Sequence, residues 1–128
     1  MPAIVLIMWR RAIAESLMSK LDTDSEVSVF YEPDYTQADI CVKRNNAKVV
    51  FIEASETGVY DVMHCLDICA KLREEVSGCK LILMCPEQDE EAVAQTVSAK
   101  HNGDIDDFVF YEASFEYLSS KILTMMSN

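Results

Sequence analysis

Residues 48–58 read Lys48-Val49-Val50-Phe51-Ile52-Glu53-Ala54-Ser55-Glu56-Thr57-Gly58. An apolar run, Val49 to Ile52, meets one acidic residue, Glu53, and then breaks into a polar turn closed by Gly58. A short apolar run bounded by turn signals fits a strand buried on both faces, as in a parallel sheet. In open α/β sheets, ligands and chemistry gather at the carboxyl ends of the strands. Glu53 stands at such an end, near the middle of the chain.

Upstream, Ile4 to Met8 reads as a first strand, followed by Trp9-Arg10-Arg11 and a helix with Ile13, Leu17, Met18 and Leu21 on one face. Asp22-Thr23-Asp24-Ser25 is a polar break before a second strand, Val27 to Tyr31. Glu32-Pro33-Asp34 is a turn, because Pro ends pairing and Asp caps the helix after it. That helix, from Tyr35 to Arg44, carries Ala38, Cys41 and Val42 as its apolar stripe. Downstream, Asp61 caps a helix running to Val76, with Val62, Cys65, Leu66, Cys69, Leu72 and Val76 on one stripe and Gly78 as the stop. Lys80 to Met84 is a fourth strand ended by Cys85-Pro86. A fourth helix starts near Asp89 and closes at His101-Asn102-Gly103. Asp107 to Tyr111 is a fifth strand, and Ser114 caps a last helix with Tyr117, Leu118, Ile122, Leu123 and Met126 on its apolar face.

The alternation is (βα)5. It predicts one domain over residues 1–128, a three-layer α/β sandwich with helices on both faces of a parallel sheet. Right-handed crossovers and five strands favour the flavodoxin-like order 2-1-3-4-5. No GxGxxG follows the first strand and no Walker A loop is present, which disfavours dinucleotide and P-loop nucleotide binding.

Twenty-two acidic against eleven basic residues give a net charge of −11. That balance argues against direct nucleic-acid binding and against docking on an anionic membrane. No stretch has the apolar length of a membrane span, and the start lacks the basic region of a signal peptide, so a cytoplasmic protein is expected. The five cysteines are odd in number and lack CxxC spacing, which predicts reduced, buried thiols.

Two segments carry a resemblance. Glu53-Ala-Ser-Glu-Thr-Gly58 has the spacing of the phospho-acceptor turn of response-regulator receiver domains, the chemotaxis-regulator-like family. Gly103 to Glu112 is similar to the segment that enters the fifth strand of those domains. The resemblance covers essentially the whole chain and implies the positions of a site. Trp9 and Arg10 fall where receivers hold an acidic pair for Mg²⁺. Glu53 falls at the phospho-acceptor Asp, Cys85 at the switch Ser or Thr, Tyr111 at the Lys, Glu112 at the following Pro, and Phe108 at the switch aromatic.

Every chemical position has therefore changed. Mg²⁺ is held by hard oxygens, usually with one or two carboxylates, and a tryptophan and an arginine supply none. Without a metal and the lysine, nothing neutralises a transferring phosphoryl group. The resemblance thus implies a degenerate, or pseudo-, receiver with no cofactor and no bound metal. Arg10 or Arg11 is expected to pair with Glu53 in the metal's place; the alternative is a solvated Glu53, with Arg10 simply opening the helix. Separately, the resemblance implies that Glu53 could serve as a fixed negative charge favouring the active-like state.

Other candidates weigh less. Cys65 and Cys69, one turn apart, share the apolar stripe and have no second ligand pair for zinc; His64 flanks that stripe as a surface residue. Cys85 is surrounded by Glu87, Asp89, Glu90 and Glu91, which disfavours a thiolate. The acidic run at 87–91 suits a helix N-terminus, with a basic partner groove as the alternative.

The reading is a non-enzymatic, phosphorylation-independent interaction module of signal transduction, with a protein partner or an attached output domain. The resemblance points to residues 89–126, the fourth helix, fifth strand and fifth helix, as a face for homodimer contacts. The alternative is a small enzyme, carrier or thiol-redox protein on the same fold, with Glu53, Cys85 and Tyr111 converging at the sheet's carboxyl edge.

Overall fold

The computed structural model describes residues 1–127 except Ser25. Ser25, placed above in a polar break, lies outside the described residues. The elements are β1 (Ala3–Ile7), α1 (Arg11–Asp24), β2 (Ser28–Glu32), a 3-10 turn (Tyr35–Gln37), α2 (Ala38–Asn45), β3 (Val49–Glu53), α3 (Val62–Glu75), β4 (Lys80–Cys85), α4 (Glu90–Asn102), β5 (Asp107–Phe110) and α5 (Phe115–Met126). All five strands pair in parallel, in the order β2-β1-β3-β4-β5, as the alternation predicts.

The central strands β1 and β3 are buried along their whole length, which is why they read as unbroken apolar runs. Side chains alternate between two cores. Val50, Ile52, Leu81, Leu83 and Cys85 point into the core under α2, α3 and α4. Ile4, Leu6, Val49, Phe51, Ile82 and Met84 point into the core under α1 and α5. Each buried Leu, Ile or Phe contributes about 1.5–3 kcal/mol by leaving water. The edge strand β2 is only half-buried.

Several boundaries differ from the sequence expectation. The strand β1 lies one residue earlier and β2 one residue later than expected, β4 runs on to Cys85, and α3 ends at Glu75 rather than Val76. The helix α1 runs on through Asp22 and Thr23 to Asp24, since Asp22 and Thr23 occupy its exposed side. The expected helix from Tyr35 begins as a 3-10 turn, where the Asp34 carboxylate accepts the Thr36 N–H at 3.0 Å. The fifth strand ends at Phe110, and Tyr111 lies in the turn after it. The caps Asp61 and Ser114 agree with the sequence signals, and Asp89, where the fourth helix was expected to start, caps it as well; each accepts an N–H of the first turn. Gly103 ends α4 at φ 83°, a left-handed conformation in which a Cβ is disfavoured.

Candidate functional site

Glu53 is the last residue of β3 and shares its face with Phe51, toward α1 and α5. Its residue surface is fully buried, so the solvated alternative is overturned. A buried carboxylate needs partners for its oxygens, and Glu53 has them. Oε1 accepts the backbone N–H of Trp9 at 3.1 Å and of Arg10 at 3.2 Å. Oε2 accepts the Arg10 Nε–H in an ion pair. The loop after β1 therefore closes directly onto the end of β3. Of the two arginines expected to face Glu53, Arg10 does so. Arg11 reaches Glu15 at 3.9 Å on the exposed side of α1 and lies 5.2 Å from the Tyr31 ring centroid.

The Arg10 head is fixed on several sides. Its guanidinium lies 4.2 Å from the Tyr111 ring centroid and 5.7 Å from that of Trp9. Nη2 approaches Met84 Sδ at 3.7 Å, Met84 being the residue of β4 in register with Glu53.

Two tyrosines hold the backbone of this strand end. Tyr35 donates its hydroxyl proton to the Glu53 carbonyl, and Tyr111 donates to that of Ala54. Burial pushes both phenols up, Tyr111 to about 12, so both remain donors at neutral pH. Tyr35 also stacks on Tyr60, with centroids 4.3 Å apart and planes 17° apart. The intervening turn is pinned by Ser55 N–H to Tyr60 O at 2.8 Å and Ser55 Oγ–H to Thr57 O at 2.6 Å. Gly58 lies in it at φ 92°, which explains the glycine that closes the stretch.

Above Glu53 opens a cleft of about 490 Å³. It is lined by Trp9, Arg10 and Tyr111 together with Ser55, Glu56, Thr57, Val59 and Tyr60 of the β3–α3 turn. Trp9 is 51 % exposed.

Cys85 does not join this constellation. It faces the opposite core, fully buried, and its Sγ accepts the Thr96 hydroxyl at 3.4 Å. The reason is register: Glu53 pairs with Met84, so Cys85 is one residue further on and points the other way. Burial pushes its thiol up; Thr96 offsets part of that, while Asp89 and Glu87 add to it. The convergence of Glu53, Cys85 and Tyr111 expected of a small enzyme is thus corrected, with Cys85 outside the cleft. Phe108 is half-buried on the α4–β5–α5 side, its ring 5.6 Å from that of Phe110 in an edge-on arrangement. Cys65 and Cys69 are buried in the core, the latter thiol pushed up by burial to about 12, and His64 is exposed, with Nδ1 2.9 Å from Asp61. Among the described residues no group of three or more His, Cys, Asp or Glu is arranged to hold a metal ion. No helix there is long and apolar enough to cross a membrane.

Two polar clusters escaped the sequence reading. Asp106 accepts Arg73 Nη2 at 2.8 Å and the Leu81 N–H at 2.7 Å, joining α3 to the start of β4. Asp107, which unlike Asp106 is buried, takes Lys100 at 3.0 Å and Lys121 at 2.7 Å, joining α4 to α5.

No family model matches the chain, and no curated protein does. Solved structures do. A LuxR-family DNA-binding response regulator from Staphylococcus aureus is similar with a TM-score of 0.78 at 15% identity, covering 98% of this chain and 99% of that one. A response regulator from Thermotoga maritima gives 0.79 at 17% identity, covering 99% and 98%. The receiver domain of a Francisella response regulator gives 0.78 at 14% identity, covering 99% and 98%. The chain has the flavodoxin-like fold of these receiver domains over nearly its whole length.

Proposed function

We propose that this chain is a pseudo-receiver, a signalling module on the receiver fold that works by phosphorylation-independent protein contact. One observation carries the proposal: the Glu53 carboxylate is buried, and both its oxygens are engaged by Arg10 and the Trp9 and Arg10 amides. Where a receiver would use a metal ion, Arg10 supplies the positive charge. A carboxylate so held is not free to ligate Mg²⁺ or attack a phosphoryl donor. Because Arg10 cancels its charge, Glu53 does not imitate an activated, phosphorylated site.

On this reading the protein is not an enzyme, acts in the cytoplasm, and signals to a protein partner or an attached output domain. The α4–β5–α5 face is the contact surface proposed, for a partner or a second copy. Val97, Phe110, Phe115 and Tyr117 are exposed there, Tyr117 by 51 %. Incubation with acetyl phosphate and Mg²⁺ followed by intact-mass measurement tests the chemistry. No adduct is expected. A phosphoryl adduct lost in Glu53→Gln would contradict the proposal. A concentration series by size exclusion tests self-association, and a strictly monomeric protein would remove the homodimer.

A further inference from the structure

The cleft above Glu53 has features the ion pair leaves unused. The chain leaves β1 toward β2 on one side and returns to β3 on the other, so β1 and β3 form the topological switch point of the sheet. Open α/β sheets bind ligands in the crevice at such a point, beyond the carboxyl ends of the strands. Trp9 comes directly after β1 and the Ser55–Tyr60 turn directly after β3, so the cleft occupies that crevice. Its volume, about 490 Å³, is that of a small-molecule pocket.

The lining decides the ligand class. The rings of Trp9, Tyr60 and Tyr111 contribute to the walls, and aromatic faces prefer flat aromatic partners. A guanidinium has five N–H donors. Arg10 uses Nε on Glu53 and Nη2 on Met84, while Nη1 has no hydrogen bond to any described residue. The Arg10 side chain is 27 % exposed, so that group faces water and can exchange it for a ligand acceptor. A charged acceptor is disfavoured, because Glu53 already balances Arg10, Glu56 lines the rim, and the chain carries −11 overall. A nucleotide is disfavoured for the same reason, and the Trp9-Arg10-Arg11 loop has no glycine or hydroxyl to cradle phosphate.

We infer that this cleft binds an uncharged, flat aromatic or heteroaromatic small molecule bearing a carbonyl acceptor. The ring lies against Trp9 and Tyr60, and the carbonyl takes a hydrogen bond from Arg10. The inference goes beyond the interaction-module reading and does not require it: either can fail alone.

The test is a titration of the full chain with 2-naphthamide, monitored by ¹H–¹⁵N NMR. Trp9 is the one tryptophan, so its indole N–H gives a single assignable signal. Saturable shifts of that signal and of the Ser55–Tyr60 amides are expected, at ~0.1–1 mM for a ligand of this size. 2-Naphthoate, equal in shape but charged, should bind more weakly, and cyclohexanecarboxamide, with the same acceptor but no flat ring, should not bind. Trp9→Leu keeps the backbone N–H that holds Glu53 and should weaken 2-naphthamide about fivefold, the loss of one aromatic face. The inference is overturned if 2-naphthamide gives no saturable shift, if 2-naphthoate binds tighter, if cyclohexanecarboxamide binds equally, or if Trp9→Leu leaves the affinity unchanged.

Discussion

Arg10 holds Glu53 twice, through its side-chain Nε on Oε2 and through its own backbone N–H on Oε1 at 3.2 Å. The same residue thus supplies the counter-charge and part of the backbone cradle for a fully buried carboxylate. Removing the side chain leaves the cradle but strands the charge.

Arg10→Ala should therefore destabilise the fold more than an ordinary surface change. Breaking a buried pair from one side costs about 3–5 kcal/mol. The Arg10 side chain is 27 % exposed, so water recovers part of this and about 2–3 kcal/mol is expected. Pairing Arg10→Met with Glu53→Gln removes both charges and should restore at least half of that loss. Urea denaturation of the two variants reads the difference. Equal stabilities of the wild type and Arg10→Ala would show that the pair contributes nothing.

The two tyrosines at the end of β3 should separate in cost. Tyr35→Phe takes the hydroxyl donor from the Glu53 carbonyl at a site only 3 % exposed, and about 1–3 kcal/mol is expected. Tyr111→Phe removes the donor to the Ala54 carbonyl in a partly exposed turn but keeps the ring against Arg10, and about 0.5–1.5 kcal/mol is expected. A reversed ranking in denaturant melts would contradict the placement of the two rings.

Thiol chemistry should be confined to Cys41. The other four cysteines are buried, and burial pushes the thiols of Cys65, Cys69, Cys79 and Cys85 up. Titration of the native protein with a disulfide reagent at neutral pH should modify Cys41 slowly, the remainder reacting only after unfolding. Fast modification of Cys85, mapped by mass spectrometry, would revive a redox role.

The Asp107 cluster gives the fold a defined pH range. Burial raises the Asp107 carboxyl, but Lys121, Lys100 and the Phe108 N–H outweigh it, so the folded-state value is lowered. The stability it contributes is present above the unfolded aspartate value, about 3.9, and is lost as pH falls through the depressed folded value. For Lys121 burial lowers, but Asp107 and Tyr117 outweigh it and raise the folded value. Its contribution is present below the unfolded lysine value, about 10.4, and is lost as pH rises through the raised one. Asp107→Asn should flatten the acid limb of a plot of melting temperature against pH. An unchanged acid limb would mean that the lysines do not hold Asp107 in solution.

Particular residues show why some of this was legible in the sequence. Val49–Ile52 and Ile4–Met8 read as buried strands because both faces of a central parallel strand are covered, and that burial leaves an unbroken apolar signature. Asp61 and Ser114 were legible as caps, and the start of α4 near Asp89 was legible too, because helix-start signals are local. The Arg10–Glu53 pair was within reach, since the strand order brings the ends of β1 and β3 side by side. The direction of Cys85 was not. It depends on a one-residue register between β3 and β4, which no local pattern encodes. The Tyr35–Glu53, Arg73–Asp106 and Lys121–Asp107 contacts join residues 18, 33 and 14 apart, and nothing in either partner's neighbourhood marks them.

The central claim is that internal partners occupy the Glu53 carboxylate and exclude metal and phosphoryl chemistry. Its most direct test is a titration of the protein with Mg²⁺ and beryllofluoride, a phosphoryl mimic, monitored by NMR at the Arg10 Nε–H, the Trp9 indole and the amides of residues 53–60. The account predicts no saturable change in any of these signals. A saturable, Mg²⁺-dependent shift that disappears in Glu53→Gln would contradict it.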